Sequence, residues 1–232
     1  MTRPPLHSWN LDPEGAIQQQ LRLRELLSLT WDERSIEIIG GVDVSFPGNR
    51  ARAGIVLMSF PALKPLTAII AEAPLSFPYI PGLLSFREGP AILAAWEKLS
   101  LKPDLLLFDG QGIAHPRGMG IASQMGLWLE LPTVGVAKSR LYGRHAPVGA
   151  QAGEWSELFD ERHPRRVIGA VLRTREKTNP VYVSPGHLID HEHALNFVMA
   201  CCRGYRLPEP TRWAHKVCTG AQLPGGGELL AR

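Results

Sequence analysis

Leu105-Leu106-Leu107-Phe108-Asp109-Gly110 is a short, unbroken apolar run set between Pro103 and Gly110. Apolar residues at every position, rather than at every second one, mark a strand covered on both faces. Asp109 then emerges at that strand's carboxyl end. In open sheets with parallel strands, ligand crevices lie outside those ends, so an acid there is better placed for chemistry than for packing. A second stretch, Gly40-Gly41-Val42-Asp43-Val44-Ser45-Phe46, reads as a strand with Gly41, Asp43 and Ser45 on one face and Val42, Val44 and Phe46 on the other. Its carboxylate is aimed into a space left by glycine. A lone strand-end Asp often closes a turn or caps a helix. Together with Glu88, in Ser85-Phe86-Arg87-Glu88-Gly89-Pro90, the pair reads as grouped carboxylates at strand ends, the donor set of a magnesium-dependent phosphate site.

Working outward, Asp12 and Pro13 are suited to the N-cap and first position of a helix over about 13–29. Ala16, Leu23, Leu26 and Leu27 would form its buried face, giving it a packing role. Strands are expected at 37–46, 53–60 and 66–73, separated by turn residues at 47–49 and around Pro61 and Pro65, so an antiparallel meander is the economical pairing. A helix over about 90–99 follows, then the strand 105–109, a helix near 121–130 and the strand 133–137. Further strands are expected at 166–173 and 181–184, and helices near 190–203 and 210–218. The outcome is an α/β chain, a three-stranded antiparallel meander followed by parallel strands in one mixed sheet flanked by helices. No linker divides it, which predicts one catalytic domain over 1–218 and a flexible tail over 219–232, where Gly225-Gly226-Gly227 falls.

At 232 residues, 44% hydrophobic and 20% charged, the chain can bury one substantial core. A net charge of +3 is mild, but residues 162–216 hold ten Lys/Arg against four Asp/Glu. Such a basic half beside an acidic cluster fits a phosphodiester held by cations. Cys201, Cys202 and Cys218 make no CxxC pair, so neither a disulfide framework nor a zinc site is expected. The amino-terminal stretch lacks the apolar core of a signal peptide, and no run reaches the roughly 18 residues of a membrane span. A cytoplasmic monomer without a membrane partner is the expectation.

The ordered series Gly41–Phe46, Phe77–Pro90, Leu105–Ser123, Pro132–Leu141 and Pro180–His187 resembles the endonuclease V family, and the segments Pro78-Tyr79-Ile80-Pro81 and Asp109–Arg117 are its most specific pieces. The resemblance implies a ribonuclease H-like fold and a repair nuclease that finds deoxyinosine and nicks DNA at the second phosphodiester on its 3′ side. Asp43, Glu88 and Asp109 match the family's metal-binding carboxylates, His215 a further position near the metal, and Lys138 a lysine near the scissile phosphate. Hard oxygen ligands select Mg²⁺, with Mn²⁺ as substitute.

Recognition is assigned elsewhere, because metals read no base. Prolines 78 and 81 would stiffen a loop that holds Tyr79 and Ile80 out as an apolar wedge. Gly82, Leu84 and Gly112 are the expected pocket for a flipped base. His115 and Arg117 are expected to contact phosphate or support that pocket. Two other readings stay open: an endoribonuclease acting on inosine-containing RNA, and a non-catalytic inosine-binding module. A nucleotide phosphotransferase would want a glycine-rich phosphate loop beginning a helix, and Gly40–Phe46 leads into a hairpin instead.

Overall fold

The computed structural model describes residues 5–223 and 229–230. Helix α1 (Pro13–Leu23) begins at Asp12, whose Oδ1 accepts from Gly15 N at 2.7 Å, with Pro13 in the first turn. It is shorter than its apolar pattern suggests: a single 3-10 turn over Arg24–Leu26 ends it, and Leu26 is 54% exposed rather than buried. Strands β1 (Ile38–Ser45), β2 (Arg50–Ser59) and β3 (Pro65–Pro74) form the expected antiparallel meander.

Next come α2 (Leu84–Glu97), β4 (Leu105–Phe108), α3 (Ile121–Leu129) and β5 (Thr133–Ala137). Helix α2 starts six residues before its expected first residue. Pro90, which suits a helix start, sits inside it, and so Glu88 lies on a helix and not at a strand end. Proline forfeits one intrahelical hydrogen bond. Packing outweighs that loss here: Trp9 lies so close to Gly89 that a Cβ there would be 2.4 Å from the indole, and Phe86 and Ile92 are fully buried.

The remaining elements are β6 (Trp155–Phe159), β7 (Val167–Leu172), β8 (Val181–His187), α4 (His191–Ala200), α5 (Glu209–Cys218) and the two-residue β9 (Leu229–Leu230). Among the described residues they complete one mixed sheet in the order β6-β7-β8-β5-β4-β1-β2-β3-β9. Strand β6 carries no clean alternation and buries only Leu158, as an edge strand does, which explains why its sequence is silent. Residues 219–223 extend the body, since Leu223 joins the core; residues 224–228 and 231–232, in the expected tail, lie outside the described residues.

β4 shows period-two burial on both faces. Leu105 and Leu107 join one core cluster with Ile39, Val134, Val136, Ala214 and Val217, whereas Leu106 and Phe108 join the other with Val42, Ile92 and Met125. Helices α4 and α5 therefore cover one side and α2 and α3 the other. Truncating a core residue such as Phe108 to Ala would cost roughly 3–5 kcal/mol.

The central pairing positions the site. β1 and β4 run parallel with Val42 opposite Phe108, and Asp109 N donates to Val42 O at 3.0 Å, so Asp43 and Asp109 leave neighbouring strand ends together. The space beside Gly41 is filled by α5: a Cβ there would lie 2.1 Å from the Pro210 backbone. That close approach carries His215 over Asp43. None of the described helices is long and apolar enough to cross a membrane.

Candidate active site

Asp43 Oδ2 lies 2.6 Å from His215 Nδ1, and its Oδ1 accepts from Val44 N at 2.9 Å. Asp109 forms an ion pair with Lys138, which follows β5 in Gly135-Val136-Ala137-Lys138-Ser139. Glu88 faces both aspartates from α2. Burial, and then Asp43 and Asp109, push its carboxyl up to about 8. Burial and Asp43 likewise raise Asp109, with Lys138 opposing them. Three acids crowded into a low-dielectric space with one lysine are short of positive charge.

That shortage is what a divalent cation would relieve. Asp43, His215 and Cys218 offer ligand atoms that all lie within 4.8 Å of one another. The Cys218 thiol is pushed up to about 12, chiefly by burial, so it keeps its proton near neutrality. It donates to His215 O at 3.2 Å. What remains for a metal is carboxylate oxygen and one imidazole, a donor set that fits a hard divalent ion better than zinc.

A cleft of about 320 Å³ runs from these acids to the loop before α2. Glu88, Asp109 and Lys138 line one end, and Tyr79, Pro81, Gly82 and Leu84 the other. Tyr79 is 68% exposed, with Pro78 and Pro81 exposed beside it. Ile80 departs from the expected wedge. It is half-buried against Phe77, Leu83 and Phe86 and so anchors the loop from beneath.

Gly82, at φ +82°, sits where three side chains converge on one carbonyl. Its oxygen lies 2.8 Å from His115 Nε2 and accepts from Gln20 Nε2 at 2.9 Å and from an Arg117 guanidinium nitrogen at 2.7 Å. Gln20 also donates to Met119 O at 3.0 Å and accepts from Arg117 Nε at 2.6 Å. His115 and Arg117 therefore brace the cleft wall. Burial lowers the His115 pKa to about 4, which keeps the ring neutral. Gln20 was missed in the sequence because it falls at a core-spaced position between Ala16 and Leu23; a polar residue in that apolar stripe was itself the available signal.

Gly112 does not line the cleft. A Cβ there would lie 2.0 Å from Pro185 O, and its N–H donates to Ser184 Oγ at 2.8 Å, so the absent side chain serves the packing of β8. The glycines that do line the cleft are Gly82, Gly110 and Gly120. Gln111, also missed, lines it too and fixes the loop after β5 by donating to Ser139 O at 3.0 Å.

A mixed sheet of this order, with acids at adjacent strand ends and a lysine beside them, defines a hydrolase of ribonuclease H-like fold. The Endonuclease V family model matches residues 17–216. An endonuclease V from Gloeobacter violaceus is 49% identical over 214 residues, 90% of this chain and 86% of that protein. The crystal structure of endonuclease V from Streptomyces avermitilis superposes with a TM-score of 0.85 at 36% identity, covering 91% of this chain and 93% of that one. A Ciona intestinalis endonuclease V, in complex with a 24mer DNA containing an inosine followed by a ribo-adenosine, gives 0.77 at 25% identity over 90% of this chain and 97% of that one. The chain belongs to the endonuclease V family.

Proposed function

We propose that this protein is a DNA repair endonuclease that recognises deoxyinosine and hydrolyses the second phosphodiester bond on its 3′ side. The observation that carries the reading is that acids and wedge share one cleft: Glu88, Asp109 and Lys138 at one end, Tyr79, Gly82 and Leu84 at the other. A base and a phosphodiester of the same strand are thereby gripped together. The inosine-containing DNA bound by the Ciona relative supports the choice of lesion.

Asp43, Glu88 and Asp109, with His215, would hold Mg²⁺, or Mn²⁺ in its place. Such an ion supplies a lowered pKa for attacking water and neutralises charge on the phosphoryl oxygens. Lys138 stands against Asp109 and presents an ammonium to charge that builds in the transition state. His215 orients the Asp43 carboxylate through its 2.6 Å contact. Tyr79 enters the step vacated by the lesion, and extrusion costs a few kcal/mol, least where pairing is already weak. We take the catalytic unit as one domain acting as a monomer in a reducing, cytoplasmic compartment, in keeping with three free thiols.

The test is a denaturing-gel assay on end-labelled duplexes carrying one deoxyinosine, with matched RNA strands, in Mg²⁺ or EDTA. A Mg²⁺-dependent nick one nucleotide beyond the lesion in DNA is expected. Preference for the RNA strand would move the assignment to an inosine endoribonuclease, a reading favoured by the ribo-adenosine in the Ciona complex. Binding without any cleavage would make the chain an inosine-binding module.

A further inference from the structure

Behind the loop 113–118 lies a second cavity of about 310 Å³, which shares His115 with the cleft. Its far wall is the turn from β6 to β7. That turn is built by its own hydrogen bonds. Asp160 Oδ1 accepts from Arg162 N at 2.7 Å, His163 N at 3.2 Å and the Tyr142 hydroxyl at 2.9 Å. Asp160 N donates to Arg166 O at 2.9 Å, and Arg166 N to His163 O at 2.8 Å.

These bonds leave the charged side chains turned to the cavity. Arg162, His163 and Arg166 line it and are exposed. Among the described residues no carboxylate forms an ion pair with Arg162 or Arg166, and the other acid in the wall, Glu25, is taken by Arg24 at 2.8 Å. The wall's own acids are engaged elsewhere, Asp160 by the turn and Glu25 by Arg24, so the two guanidiniums are left free to hold an anionic ligand, and their planar shape suits phosphate.

We propose that this cavity holds backbone phosphates of the same nucleic-acid strand whose base enters the cleft, on the far side of the His115 loop. The inference rests on the function proposed above and adds a flanking-strand anchor to it. Position supports a phosphodiester chain over a free anion, because a strand leaving the cleft meets this cavity across a single loop. Such an anchor gives affinity and register without reading sequence.

The experiment compares wild type with Arg162→Gln/Arg166→Gln, both exposed and neither lining the cleft, so folding is expected to survive. KM for a deoxyinosine duplex is measured from low to physiological salt, with the single-turnover rate at saturation alongside. Losing two phosphate contacts should flatten the dependence of log KM on log salt by about 1.4 to 1.8, with the saturated rate unchanged. Trimming the strand that crosses the loop should raise KM for wild type and leave the variant unaffected. A wild type that nicks, with a variant of identical salt slope, overturns the anchor alone; a wild type that nicks no substrate overturns the function reading instead. Thermal protection by inorganic phosphate, lost in the variant without any change in salt slope, would mark a free-anion site and also overturn the anchor.

Discussion

Gln20→Ala tests whether the convergence on Gly82 holds the recognition loop. The Gln20 side chain is fully buried and makes three polar contacts, to Gly82 O at 2.9 Å, Met119 O at 3.0 Å and Arg117 Nε at 2.6 Å. Truncation still leaves Gly82 O with His115 and Arg117. Met119 O loses its glutamine partner in a buried setting, at about 1–3 kcal/mol, whereas the part-buried Arg117 Nε can turn to water. The expected loss of stability is therefore roughly 1–3 kcal/mol, before any cavity cost is added. Gln20→Met keeps the volume and removes the polar atoms, so it should fall in the same range and separate hydrogen bonding from packing. Urea denaturation measures the stability, and steady-state cleavage measures what the loop does. Because the acids are untouched, KM should rise, with kcat nearly constant at temperatures where both variants are folded. If both variants unfold within about 0.5 kcal/mol of wild type, the usual range for a neutral surface change, and bind substrate equally well, the three donors do not brace the loop.

Asp43→Ala should abolish nicking while leaving lesion binding by gel shift; nicking at a comparable rate would refute the assignment of the metal ligands. Tyr79→Ala should leave thermal stability unchanged, since the ring is 68% exposed, and weaken lesion binding by the roughly 1–3 kcal/mol typical of base stacking, read by fluorescence anisotropy. Gly112→Ala should destabilise strongly, because its Cβ would meet Pro185 O at 2.0 Å, yet leave the preference for inosine over guanine unchanged in whatever folds; a change of preference would return Gly112 to the base pocket. His115→Gln tests acid stability. The folded pKa of about 4 lies below the ordinary 6.5, so the unfolded chain binds the proton first. Stability from neutral His115 is complete above pH 6.5 and is lost as pH falls toward 4, a contribution of roughly 3 kcal/mol. The variant's stability should fall less between those limits, and equal losses in urea titrations at pH 7 and 4.5 would refute the account.

Much of the architecture was legible because it is written locally. An unbroken apolar run and its terminal acid describe a strand covered on both faces, and β4 buries Leu105 to Phe108 accordingly. The parallel pairing of β1 with β4 then brings Asp43 beside Asp109 without further instruction. Pro90 misled for the same local reason: a proline reads as a helix start, and it is tertiary packing, Trp9 against Gly89 with Phe86 and Ile92 in the core, that carries α2 through it with Glu88 on the cleft.

The recognition end of the cleft was less legible, because its geometry is made by contacts between distant residues. The donors that meet at Gly82 stand 62, 33 and 35 residues away along the chain. Each is ordinary in its own neighbourhood: a glutamine on a helix, a histidine and an arginine in a loop. A motif match singles out His115 and Arg117 and leaves phosphate contact and support of the pocket both open, and it is their hydrogen bonds to a backbone carbonyl that favour support. Glycine shows the same limit, since one missing side chain admits a helix at Gly41 and another admits a strand at Gly112. Only the neighbour decides which, and for both residues that neighbour is protein.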